Sequence, residues 1–224
     1  TEIGRDIPLS QLIDAYDAVF LATGTCSPAA VPQARPGCAG VCYALDFLTR
    51  AKTERLEQHG HVLVVGGGDV AIDAAMTARR AGAARVTVLS LEQLDQLPAS
   101  EDSIRQAQGE GIEFQPGWGI ASIPERDGSA TGLIAKQCTR VFDEEGRFSP
   151  SYQEDITREI SADYIILAIG QRACLDYLGD TVAQMRGRIQ VDPVTLQTNV
   201  EKVFAGGDTV AGPNTAVHAM ADGA

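Results

Sequence analysis

The 224-residue sequence predicts an α/β fold, a parallel sheet wound with helices and interrupted by an antiparallel meander. Three observations carry that expectation. Residues 61–89 read as strand, glycine turn, helix and strand, one βαβ unit in about 30 residues. The stretch 120–161 is punctuated by Gly128, Gly146 and Pro150 and reads as hairpins. Two segments, Tyr16–Gly24 and Ala162–Gly170, repeat one pattern, an apolar strand running into Ala-x-Gly.

Each element has a local reason. Asp17–Leu21 is a short buried strand that ends in the turn Ala22-Thr23-Gly24. Cys26–Gly40 holds Pro28, Pro32 and Pro36 and is expected to be a connector, since proline removes a ladder donor. Gly40–Arg55 carries Val41, Ala44, Leu45 and Leu48 at helical spacing and predicts a helix. His61–Val65 is apolar and β-branched, the mark of a parallel strand buried on both faces. Asp69–Ala81 puts Val70, Ala71, Ala74, Ala75 and Ala78 on one helical face, with Gly82 just past its end. Arg85–Leu89 is the next strand, Glu101–Gly109 a helix and Ile112–Phe114 a short strand. Val203–Asp208 is a strand ending in Gly-Gly-Asp. It leads into a helix, Asn214–Ala224, that carries no stop signal.

Composition narrows the function. The net charge of −12 repels nucleic acid and anionic lipid, so neither is expected as a partner. No apolar run is long enough to cross a bilayer, so no membrane insertion is expected. The five cysteines are odd in number and form no Cys-x-x-Cys, which fits reduced thiols in a cytoplasmic protein. Those cysteines and the histidines His59, His61 and His218 are too scattered for a metal site, and none is expected. The polar start, Thr1 without an initiator methionine, predicts that the chain is a piece of something longer.

The sharpest local signal is Gly66-x-Gly68-x-x-Ala71, with Gly67 between the glycines. Gly66 allows a tight turn after the strand. Gly68, without a Cβ, lets a diphosphate reach the backbone, and Ala71 lets the helix pack on the sheet. The first N–H groups of the helix, at Asp69 and Val70, then face the anion. Strand before and helix after supply the context that this motif requires. After the second strand, Ser90, Leu91 and Glu92 are expected beside the adenosine ribose. No Arg or Lys occurs between Arg85 and Arg105 to meet a 2′-phosphate, whereas Glu92 can accept from a 2′-OH. NADH is therefore expected over NADPH.

With these motifs in order, the sequence resembles the two-dinucleotide-domain flavoproteins, and among them the small (β) subunit of glutamate synthase and its relatives. The marks are Tyr16–Gly24, Gly40–Leu48, Gly66–Asp73, Leu97-Pro-Ala-Ser100, Ile166–Gln171 and Phe204–Asp208. The resemblance implies a Rossmann-like NAD(P)-binding domain inserted in an FAD-binding domain. It places Ala22, Thr23 and Gly24 near FAD, and gives Gly207 and Asp208 to the flavin's ribityl or diphosphate region. Asn214 and Thr215 would aim N–H groups at the isoalloxazine, and Ala168, Ile169, Gly170 and Gln171 would border the nicotinamide. It implies hydride transfer from NAD(P)H to FAD at a ring separation of about 3–3.5 Å, then electron flow to an iron–sulfur protein or partner subunit. No side-chain acid or base is required, so no catalytic residue is assigned.

The sequence departs from that family in lacking its N-terminal FAD fingerprint, its arginine pair after the second strand and its iron–sulfur cysteines. The expected organisation is an incomplete FAD-domain segment at 1–35, a connector helix at 36–58, an NAD(P)-binding domain at 59–168 and a truncated FAD-domain segment at 169–224. The rival expectation is a truncated, non-catalytic module that binds dinucleotide or serves as an interaction domain. A disulfide reductase would need two cysteines close enough to exchange beside the flavin, and Cys38 and Cys42 lie outside the usual redox motif. His218 and Trp118 are expected to be, respectively, a partly exposed helix residue and a packing residue.

Overall fold

A computed structural model of the chain describes residues 1–57 and 59–223. The expected ends of the connector at Gln58 and of the last helix at Ala224 lie outside the described residues. The chain divides into two compact units: residues 1–29 with 171–224, and residues 30–170.

The first unit opens with α1 (Leu9–Ala15), β1 (Val19–Leu21) and β2 (Ser27–Pro28). The second unit runs through β3 (Val41–Tyr43), α2 (Ala44–Thr53), β4 (His61–Val65), α3 (Asp69–Arg80), β5 (Arg85–Ser90), α4 (Glu101–Gly109) and β6 (Glu113–Pro116). It continues with β7 (Trp118–Ser122), the small hairpin β8 (Glu125–Arg126) and β9 (Ser129–Ala130), β10 (Gly132–Phe142), β11 (Phe148–Ser161) and β12 (Tyr164–Leu167). The first unit resumes with β13 (Gln171–Arg172), β14 (Gln184–Met185), β15 (Arg188–Ile189), β16 (Val203–Ala205), α5 (Asp208–Ala211) and α6 (Ala216–Asp222).

The second unit is built on a parallel sheet of order β3-β12-β4-β5-β6. Its strands alternate strictly, because successive side chains point to opposite faces. Val62, Val64, Val86, Val88 and Ile166 face α2, α3 and α4, where Phe47, Ala71, Ala74 and Ala78 meet them. Leu63, Val65, Leu89, Ile165 and Leu167 face the other way, into a core shared with Leu133, Ala135 and Ile160 of the antiparallel sheet β11-β10-β7. Both faces are thus dry, which explains the unbroken apolar runs. Removing the fully buried Leu63 side chain would cost about 2–5 kcal/mol.

Helix α3 has the charge pattern its dipole favours, with Asp69 in the first turn and Arg79 and Arg80 in the last. It stops where Gly82 adopts φ +105° and Ala83 N–H returns to Ala78 O at 3.2 Å. His61 is structural: its ring nitrogens meet Ser161 O at 2.7 Å and Thr87 Oγ1 at 2.9 Å.

Two expectations are corrected. The strand expected to be buried at Asp17–Leu21 spans Val19–Leu21 and leaves Phe20 exposed. Residues 41–43, read as the start of a helix, are the edge strand β3, paired in parallel with Ile165–Leu167. Helix α2 starts only at Ala44. Helix α1, which has no side-chain cap, was absent from the expected elements. It is held by Leu9, Leu12 and Ile13 against the core of the first unit, around Leu178, Val203 and Ala205. In that unit β1 pairs in parallel with β16, Val19 opposite Val203.

Candidate dinucleotide site

In the second unit the chain leaves β4 through the three glycines and enters α3. Gly66 N–H donates to Leu89 O at 2.8 Å, which ties the turn to β5. Gly66 has φ +143°, and a Cβ there would collide with the Ala168 carbonyl oxygen, so this position admits only glycine. Ala168 N–H in turn donates to Val65 O at 2.7 Å, which brings the end of β12 against the turn.

Gly68 differs from its neighbours. Its backbone is extended (φ −89°, ψ 174°), and a Cβ built on it meets no atom within 4 Å. The space in front of Gly68 is open. Among the described residues, the N–H groups of Gly67, Gly68, Asp69 and Val70 donate to no protein acceptor. Four free N–H groups at the mouth of a 12-residue helix, next to an open approach, form an anion cradle. Ala71 is fully buried against the sheet, and Val70 packs at its edge.

The Leu97–Ser100 loop crosses this turn. Ala99 N–H donates to Gly67 O at 3.1 Å, and Ser100 N–H to Asp69 Oδ1 at 3.0 Å. Asp69 therefore bonds to the loop as well as standing at the helix mouth. Ser100 caps α4, accepting from Ser103 N–H at 3.2 Å. Sequence reasoning singled out Leu97–Ser100 without giving it this role.

After β5, Ser90 is buried and its hydroxyl donates to Glu92 O at 3.0 Å; Gly117 N–H donates to the same carbonyl at 3.2 Å. Glu92 Oε2 lies 3.0 Å from the Cβ position of Gly67. The carboxylate stands over the glycine turn, and half-buried Leu91 packs against Gly119. Arg105 is ion-paired with Glu101 and Asp102 on its own helix. Arg158, which the sequence reading passed over, lies 4.5 Å over the Trp118 ring and donates to Gln115 Oε1 at 3.4 Å. Gln115 is paired with Leu89, one residue before the end of β5. The unit's sequence ends with half-buried Ala168, exposed Ile169 and Gly170 at φ +105°.

The first unit holds the remaining predicted residues. Ala22 and Thr23 are exposed, and Thr23 Oγ1 lies 3.1 Å from the Tyr177 hydroxyl. Gly24 has φ +67° with open space at its Cβ position. Gly207 N–H donates to Asp222 of α6 at 2.7 Å, and Asp208 Oδ1 accepts from Asn214 N–H at 3.2 Å. Thr215 N–H donates to Asn214 Oδ1 at 2.8 Å. The N–H groups of Asn214 and Thr215 are thus engaged within their own loop. A cavity of about 160 Å³ is lined by Thr25, Gln171, Arg172, Arg186, Arg188 and Asp208, among others. Gln171 accepts from Thr25 Oγ1 at 3.4 Å. In this unit the chain passes from β16 through Gly206 and Gly207 into the four-residue helix α5.

Among the described residues no cluster of three or more metal-ligating side chains occurs, and no helix is long and apolar enough to cross a membrane.

Comparison with known proteins adds the lineage. The profile of the pyridine nucleotide-disulphide oxidoreductase family matches residues 10–223. The chain is 36% identical to the NADP(+)-dependent formate dehydrogenase subunit beta of Moorella thermoacetica, covering 100% of this chain and 32% of that protein. It is 32% identical to the glutamate synthase [NADPH] small chain of Halomonas elongata, covering 99% of this chain and 51% of that one. Among solved structures, Mycobacterium tuberculosis FprA in complex with NADPH superposes with a TM-score of 0.78 at 14% identity, over 99% of this chain and 64% of that one. That last likeness concerns the fold. The chain spans about a third to a half of the length of these two curated relatives.

Proposed function

The chain belongs to the pyridine nucleotide-disulphide oxidoreductase family, whose members bind FAD and NAD(P)H, and from that premise we propose that its second unit is the NAD(P)H-binding part of a flavoprotein oxidoreductase. The observation that carries the reading is the amide-lined turn at Gly67–Val70, open in front of Gly68. Its four N–H groups hold the nucleotide diphosphate, and the α3 dipole adds to the attraction.

NAD(P)H supplies a hydride to the flavin when both are bound. The chain's own part is to fix the nucleotide: backbone amides on the diphosphate, Glu92 on the adenosine ribose, and Ala168–Gln171 toward the nicotinamide. In the first unit, Ala22–Gly24, Gly207 and Asp208 contribute to the flavin site of the whole protein. Electrons pass on to an iron–sulfur protein or partner subunit, as the naming of both relatives as subunits of larger enzymes suggests.

Glu92 over the glycine turn favours NADH, since a carboxylate accepts from a ribose 2′-OH and repels a 2′-phosphate. One observation favours NADPH instead: the Arg158 guanidinium reaches Gln115 beside the end of β5. Both named relatives carry NADP in their names. Anaerobic mixing of the intact protein with each nucleotide tests both levels. Bleaching of the oxidised flavin band by NADH ahead of NADPH supports the full reading. Bleaching by NADPH alone moves the coenzyme choice to Arg158. No bleaching by either, with nucleotide still bound, leaves the non-catalytic module.

A further inference from the structure

The first unit contains a feature that the nucleotide reading does not use. Cys26 and Cys174 are 148 residues apart in sequence, yet their sulfurs stand 3.4 Å apart and both side chains are exposed. Cys26 directly precedes β2, and Cys174 lies two residues beyond β13. These two strands pair antiparallel, Gln171 opposite Pro28 and Arg172 opposite Ser27. The ladder sits at the two places where the chain passes between its units, 29–30 and 170–171.

We propose that Cys26 and Cys174 form a reversible thiol–disulfide site, oxidised by a small-molecule disulfide of the glutathione class. One thiolate attacks the external disulfide and releases one external thiolate, leaving a mixed disulfide. The second cysteine then attacks the protein-side sulfur, releases the other external thiolate and closes the Cys26–Cys174 bond. Two electrons pass from the two protein sulfurs to the external disulfide. The two cysteine protons end on the two external thiols. Excess external thiol runs the sequence backward.

The remaining cysteines give the site its selectivity. Cys38 and Cys138 are buried and Cys42 is half-buried, so an external disulfide reaches the exposed Cys26 and Cys174 first. The bond would also enclose the whole second unit in one covalent ring, because it joins both connections to that unit.

The test treats the intact, reduced protein with oxidised glutathione and maps its peptides without reduction. The expected result is a cross-linked peptide pair containing residues 26 and 174, lighter by two hydrogens, that separates on adding reduced glutathione. Cys26→Ser should leave Cys174 carrying one glutathione, and Cys174→Ser should leave Cys26 carrying one. After a proteolytic nick within residues 30–170, the oxidised wild type should migrate as one species until reduced, and neither variant should. Separate glutathione adducts on Cys26 and Cys174 of the wild type, with no cross-link, would overturn the proposal. So would oxidation confined to Cys38, Cys42 or Cys138.

Discussion

Replacing Gly68 by alanine separates binding from folding. The Gly68 backbone, at φ −89° and ψ 174°, is a conformation that alanine adopts freely, and its Cβ would touch nothing within 4 Å. Two small terms remain. Alanine is a poorer helix N-cap than glycine, by roughly 0.5–1 kcal/mol. Alanine also loses less chain entropy on folding, a gain of about 0.4–1 kcal/mol. They offset, so the midpoint of thermal unfolding should move by no more than about 4 °C. Binding should respond differently, because the new methyl group projects into the space through which the diphosphate must approach. Losing one charge-assisted hydrogen bond costs about 1.5–3 kcal/mol, or roughly 10- to 150-fold in Kd. The assay is calorimetric titration of the preferred nucleotide into the wild type and Gly68→Ala, beside thermal unfolding of both. Unchanged affinity in Gly68→Ala would refute the placement of the diphosphate. Equal loss of stability and affinity would show the glycine to be structural.

Other outcomes follow from the same geometry. Gly66→Ala should destabilise the second unit by several kcal/mol in denaturant unfolding, since its Cβ would meet the Ala168 carbonyl oxygen at φ +143°. Glu92→Ala should weaken NADH about tenfold and tighten NADPH, because it removes a charge that repels the 2′-phosphate, read as two KM values. Arg186 has φ +53° in the turn between β14 and β15, where Asn is at ease, so Arg186→Asn should raise stability by about 0.5–1 kcal/mol in chemical denaturation. Arg85 grips Glu113 at 2.6 Å and holds its carboxyl below the usual glutamate range. A lowered folded-state pKa contributes stability that is fully present above the unfolded value, roughly pH 4.3, and is lost as pH falls through the lowered value. Glu113→Gln should therefore lower stability slightly at neutral pH and leave the acid end little changed, which flattens the acid limb of the stability–pH curve.

The βαβ unit was legible because its signals are local. The apolar run His61–Val65, the glycines and the alanine face of α3 each state their own structure, and β4 begins and ends at the expected residues. Residues 41–43 were not legible. Val41 falls in helical register with Ala44, Leu45 and Leu48, and it is a strand only because Ile165–Leu167, far along the chain, offers it a parallel partner. The site shows the same division. The spacing of Gly66, Gly68 and Ala71 announces an anion cradle. The positions of Glu92 and Arg158 depend on backbone pinning at Gly117 and on a ring at Trp118, which no local pattern encodes. The approach of Cys26 to Cys174 is set by the pairing of two two-residue strands, too short to carry a pattern of their own.

A crystal structure of the intact protein with its nucleotide bound tests the central claim most directly. Diphosphate oxygens should lie within about 3 Å of the N–H groups of Gly68, Asp69 and Val70, the adenosine ribose beside Glu92. A nucleotide seated anywhere else, with those amides facing only solvent, would contradict it.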